Sequence, residues 1–185
     1  MNAPSIETAI SAARAGREEG FRQLFAAHSA AVFALVQHFV PDVAEAEELT
    51  QDTFLRAFAA LEQFDSSRGS FLAWLRRIAY NLAIDQLRQN RPKEISLEGM
   101  AERKEEAGIL DPEDFADETQ ERVEALMQAV GLLPAEEQTL LTLYYFDNLP
   151  QEEIAYIVGA TANAVANRLR RIRKKLHNQL DNKNA

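Results

Sequence analysis

The chain has 185 residues, 46% of them apolar, no cysteine and a formal net charge of −9. That length suits one ordinary domain or two small ones, and the apolar share is enough for packed cores. Lack of cysteine excludes disulfides and thiolate zinc sites; with neither an apolar run of some 18 residues nor an apolar leader after Met1, a cytoplasmic protein with no membrane insertion is expected.

The charge is unevenly spread. Residues 94–125 carry twelve carboxylates against Arg103, Lys104 and Arg122, a local balance of −9. Residues 71–93 hold Arg76, Arg77, Arg88, Arg91 and Lys93 against Asp85, and residues 162–185 hold seven cations against Asp181. Two basic patches therefore flank an acidic segment. With a screening length of roughly 8 Å in physiological salt, each patch presents its own field, so overall acidity does not exclude DNA binding.

In chain order, residues 1–17 form an N-terminal extension before the first strong periodicity. Phe21, Leu24, Phe25, His28, Val32, Leu35, Val36 and Phe39 fall on one face of a helix starting near Glu18 and stopped by Pro41. A second helix is predicted from about Asp42 to Leu61, with Val43, Ala46, Leu49, Thr53, Phe54, Ala57 and Leu61 inward and an acidic first turn. Phe64 to Gly69 reads as a loop. Ser70 then caps a third helix to about Gln89, with Phe71, Leu75, Ile78 and Leu82 as its stripe. From Lys93 to about Gln120 the chain is acidic and aperiodic, as expected of a linker. Periodicity returns at Val123, Leu126, Met127, Val130 and Leu133, and Pro134 opens another helix.

A short helix beginning near Pro150, the Gly159-Ala160 turn and the cap Thr161 predict a helix-turn-helix. On its second helix Val165, Leu169, Ile172 and Leu176 recur at spacings of 4, 3 and 4. Asn163, Asn167, Arg170 and Lys174 repeat the same spacing about 160–200° away. One face is fit to pack and the other to meet a major groove, where Arg suits guanine, Asn suits adenine, and further cations neutralise phosphates. The bland alternative is an amphipathic helix with a solvated basic face; the short preceding helix and glycine turn favour DNA binding.

Ala46 to Phe58, Arg68 to Asp85 and Leu133 to Leu176, three segments in this order, together resemble the extracytoplasmic-function (ECF) group of bacterial sigma factors. Residues Ala46 to Phe58 are similar to the stretch by which sigma region two grips core RNA polymerase. Residues Arg68 to Asp85 are similar to the segment that opens and reads the minus-ten element, and Leu133 to Leu176 to region four, which reads the minus-thirty-five element. The resemblance implies an all-α fold of two helical domains joined by an acidic linker: an extension at 1–17, a region-two-like domain at 18–92, the linker at 93–121, and a region-four-like helix-turn-helix domain at 122–181. It implies core RNA polymerase and promoter DNA as partners, with an anti-sigma factor as a further candidate.

By the same resemblance Leu49, Gln51, Asp52, Leu55, Arg56 and Phe58 are expected to contact core polymerase, with a buried position as the equal alternative for Phe58. Ser67, Arg68, Phe71, Trp74, Arg76, Arg77, Tyr80, Asn81 and Arg88 are expected at the minus-ten element, where melting requires aromatic surfaces, amides and cations together. Phe71 and Trp74 lie near the apolar stripe and have a core role as their alternative. Thr161, Asn163, Ala166, Asn167, Arg168, Arg170, Arg171 and Lys174 are expected at the minus-thirty-five element. Where the family usually shows Gly-Thr-Val-Lys-Ser-Arg, residues 163–168 read Asn-Ala-Val-Ala-Asn-Arg, so an altered minus-thirty-five preference is expected. The competing function is a dimeric helix-turn-helix regulator acting without polymerase. His28, His38 and His177 are scattered and no nucleophile constellation, metal cluster or phosphate loop is present, so neither catalysis nor a cofactor is expected.

Overall fold

The computed structural model describes residues 5–90 and 120–181, all of whose regular elements are helical. The expected linker therefore lies outside the described residues, save for its last two positions.

Helix α1 spans Ile6–Arg14, starting at Ser5, whose Oγ accepts from Thr8 N at 3.3 Å. It ends on Gly16, in the left-handed region at φ 71°; Gly16 N and Arg17 N donate to Ala13 O and Ala12 O at 2.9 and 3.0 Å. This crossed pair satisfies carbonyls that a helix end leaves open. The N-terminal extension thus carries a folded helix. Its buried side chains are Ala9, Ile10 and Ala13, two of them too small to give a strong periodic signal.

Helix α2 (Glu18–Gln37) buries Leu24, Val32, Leu35 and Val36 as its periodicity predicts, whereas Phe25 stays 41% exposed with its ring tilted against that of Phe54. Helix α3 (Val43–Ala59) is capped by Asp42, which accepts from Glu45 N at 3.0 Å. Two short 3₁₀ turns, Leu61–Gln63 and Ser66–Arg68, lead into helix α4 (Phe71–Asn90). Helices α1, α3 and α4 pack around α2, and α4 also packs on α3.

The second helical unit consists of α5 (Gln120–Gly131), α6 (Ala135–Leu141), α7 (Gln151–Val158) and α8 (Ala162–Asp181). The helix expected from Pro134 narrows to α6 and then widens into a π-type turn over Thr142–Phe146, closed by Asp147 N donating to Thr142 O at 3.0 Å. Asn148 at φ 52° reverses the chain before Pro150, a backbone region that asparagine tolerates. Helix α8 forms the spine, touching α5, α6 and α7 through buried Val165, Leu169, Ile172 and Leu176.

Helix α1 is seated by an absent side chain. A Cβ on Gly20 would collide with Ala13 N and stand 2.7 Å from Ala9 O and 2.8 Å from Ala12 C, all backbone atoms of α1. Elsewhere in a helix, alanine for glycine gains about 1 kcal/mol. Here Gly20→Ala is expected to lose about 2 kcal/mol net, because backbone cannot yield as a side chain can. Urea unfolding measures this, and a stabilised variant would show that α1 is not held by close packing.

Candidate nucleic-acid interface

Helix α8 displays the two faces its sequence predicts. Gly159 sits in the left-handed region at φ 67°, and Thr161 Oγ1 accepts from Ala164 N at 3.2 Å, so the turn and the cap are formed as read. Val165, Leu169, Ile172 and Leu176 are each at most 7% exposed. Thr161, Asn163, Asn167, Arg168, Arg170, Arg171 and Lys174 are exposed, and Ala166 is half-buried. The arrangement offers amides and cations on a rigid helix, with the small Ala166 permitting close approach. Lys175 is drawn aside by Glu137 Oε2 at 3.0 Å, and Glu137 lies on α6.

The loop before α4 is internally braced. Asp65 Oδ1 accepts from Ser67 N at 2.9 Å, and that contact, with the Ser67 hydroxyl first among its causes, holds the Asp65 carboxyl below its ordinary range. Phe64, Phe71 and Trp74 form a cluster with ring centroids 5.2 to 5.6 Å apart. Phe64 and Phe71 are buried and Trp74 is half-buried, so the core alternative describes Phe71, and Trp74 stays partly exposed. Ser67, Arg68, Asn81 and Arg88 are exposed. Tyr80 is 9% exposed and packs edge-on to Phe39; burial pushes its phenol up.

Two cations of α4 are occupied by the other helical unit. Arg76 is buried and its Nη2 donates to Asp147 Oδ2 at 2.6 Å. Arg77 donates to the carbonyl of Tyr156 at 2.9 Å and lies 4.8 Å above that ring, so a hydrogen bond and a cation–π contact share one side chain. Ser70 Oγ donates to Glu153 Oε1 at 3.2 Å. A cleft of about 500 Å³ opens beside Arg77, between it and the Gly159 turn. Two histidines lie close by. Burial first, and the Arg76 charge second, lower the pKa of His28; burial lowers that of His38, opposed by Asp147. Sequence patterns gave no sign of Asp147, Glu153 or Tyr156, because helical period locates a polar face but not its partner.

On α3, Gln51, Asp52, Leu55 and Arg56 are exposed, Leu55 to 67%. An apolar side chain standing clear among polar ones suits a protein contact. Leu49 instead faces the core at 7% exposure, and Phe58 is half-buried against Phe21 at 4.8 Å and Phe54 at 5.7 Å. Among the described residues no group of His, Asp and Glu could hold a metal ion, and no helix is long and apolar enough to cross a membrane.

Comparison with known proteins matches two families in chain order: Sigma-70 region 2 over residues 24–93 and Sigma-70, region 4 over residues 123–176. The chain is 33% identical over 171 residues to a protein named probable RNA polymerase sigma factor RfaY of Xanthomonas campestris, covering 91% of this chain but 42% of that protein. It is 30% identical over 183 residues to ECF RNA polymerase sigma factor SigW of Bacillus subtilis, covering 95% of this chain and 96% of SigW. Among solved structures, CnrH of Cupriavidus metallidurans, in complex with the cytosolic domain of CnrY, superposes with a TM-score of 0.64 at 27% identity, covering 94% of this chain and 96% of CnrH.

The Arg76–Asp147 contact yields a prediction. Asp147→Ala leaves a buried guanidinium without its carboxylate, which costs about 1.5–3 kcal/mol for a hydrogen bond to a charged group. Helix α7 is then expected to leave α4, raising the radius of gyration in small-angle scattering while both helical units stay folded by circular dichroism. Unchanged scattering would mean that Arg77 and Tyr156 suffice to hold the two units together.

Proposed function

Because the chain belongs to the ECF group of the sigma-70 family, whose members are specificity factors for transcription initiation and not enzymes, we propose that it binds core RNA polymerase, directs it to promoters with a bipartite element and holds the melted minus-ten strand. The observation that carries this is the pairing of two unlike surfaces. The exposed amide and cation face of α8 suits a duplex groove, and the braced loop with Trp74, Asn81, Arg68 and Arg88 suits unstacked bases. Leu55, ringed by Gln51, Asp52 and Arg56, supplies the polymerase contact.

The domains assigned to these tasks are residues 18–92 for polymerase and the minus-ten element, and 122–181 for the minus-thirty-five element, on either side of the acidic segment 93–121. With Arg76 engaged by Asp147 and Arg77 by Tyr156, these two side chains reach DNA only after α7 has moved off α4. CnrH was solved in complex with the cytosolic domain of CnrY, and an anti-sigma factor spanning both domains is the matching partner here, with the cytoplasm as the place of action. A dimeric regulator acting alone would use residues 122–181 and leave Leu55, Trp74 and the loop without a task.

Run-off transcription with purified core polymerase on a genomic fragment library tests the proposal. The expected outcome is a set of discrete start sites that depend on this chain and share an upstream bipartite element. No start sites, together with tight binding to palindromic duplexes by the chain alone, would favour the dimeric regulator. Within the upstream element, Asn167→Ala is expected to cost about 1–3 kcal/mol at one base pair. A uniform loss across all duplexes, measured by anisotropy titration, would make Asn167 a backbone contact.

A further inference from the structure

Arg14 ends helix α1, yet its guanidinium works on a loop far along the chain. Nη2 donates to Leu61 O at 3.2 Å and to Phe64 O at 2.7 Å, across 47 and 50 residues, and Nε lies 3.9 Å from Glu62 Oε2. These two carbonyls bracket the first 3₁₀ turn: Leu61 O also accepts from Phe64 N at 3.2 Å within the turn, and Phe64 O, at its end, takes the shorter bond from Arg14. A charged donor holding both fixes the distance between them more firmly than water would. The turn is thereby pinned on the α1 side, while Phe64 anchors it in the Phe71–Trp74 cluster and Asp65 fixes Ser67. Glu62, Gln63, Asp65, Ser66, Ser67 and Arg68 are left exposed on a backbone with little freedom. The brace depends on α1 lying against α2, which the missing Cβ of Gly20 permits.

We propose that Arg14 is a positioning residue for promoter melting: acting from helix α1, it presets the loop over residues 61–69 in the shape that receives an unpaired minus-ten base. This rests on the base-holding role proposed above for the loop and α4. A preset loop discriminates because its polar groups meet one base edge at hydrogen-bond distance and miss the others, and a loosened loop adapts to all. The signature of Arg14 is therefore selectivity, not affinity alone.

The experiment uses holoenzyme assembled from core polymerase and the full chain. Its probe is a set of four fork-junction DNAs that differ in one unpaired minus-ten nucleotide, titrated by fluorescence anisotropy. Wild type is expected to prefer one base. Arg14→Ala is expected to reduce that preference about tenfold, with core affinity and minus-thirty-five duplex binding unchanged. Arg14→Lys, which keeps a cationic donor, is expected to restore part of the preference. Arg14→Met keeps the apolar stem without donors and should behave as alanine does, which covers the case in which alanine unseats α1. An Arg14→Met holoenzyme that weakens equally for all four bases, or not at all, overturns the proposal and leaves the base-holding role standing. A wild type indifferent to the base overturns both.

Discussion

Helix α4 has to serve as core and as surface over the same twenty residues. Phe71, Leu75, Ala79, Leu82 and Ala83 are buried where the helix packs on α2 and α3, which fixes its rotation about its own axis. Once that rotation is set, Arg76 and Arg77 have no choice of direction, and both emerge toward α7. A buried guanidinium without a partner is costly, so the second helical unit supplies a carboxylate to one and an aromatic face with a carbonyl to the other. The π-type turn over Thr142–Phe146 delivers Asp147 to that place. The docking of α7 thus follows from how α4 is turned.

The helix-turn-helix was legible because its signals are local. Gly159 needs positive φ, Thr161 needs an open amide within three residues, and the 4-3-4 stripes need only the helical period. The fold class and the two helical units were legible for the same reason. What could not be read depended on distant chain. Arg76 and Tyr80 lie off the apolar stripe and were expected at a nucleic-acid surface, yet both are buried, Arg76 against Asp147 and Tyr80 against Phe39. Periodicity reports one packing face; a second element docking on the opposite side leaves no trace in it. Helix α1 escaped for a different reason. Its seat is made by small residues and by a glycine on α2, and small residues carry little periodic signal.

Acidity and nucleic-acid chemistry coexist here by partition. Carboxylates crowd residues 94–125, while the exposed face of α8 is built from arginine, lysine and asparagine. Of the cations in that helix, Lys175 is turned toward Glu137, so its neighbours define the face. The departures at residues 163–168 leave the helix intact: Ala164 and Ala166 are half-buried and Asn163 and Asn167 are exposed. A change of duplex preference is thereby possible without any change of fold.

The contact between α4 and α7 also sets a threshold. Because both helices belong to one chain, each meets the other at an effective concentration that does not depend on the protein concentration in the cell. A ligand that binds only one of these helices competes against that standing concentration at every encounter. A partner large enough to engage both units apart meets it once and then benefits from two attachments. Dilution therefore does not open the chain, and a partner that engages both units gains more than one that engages either alone.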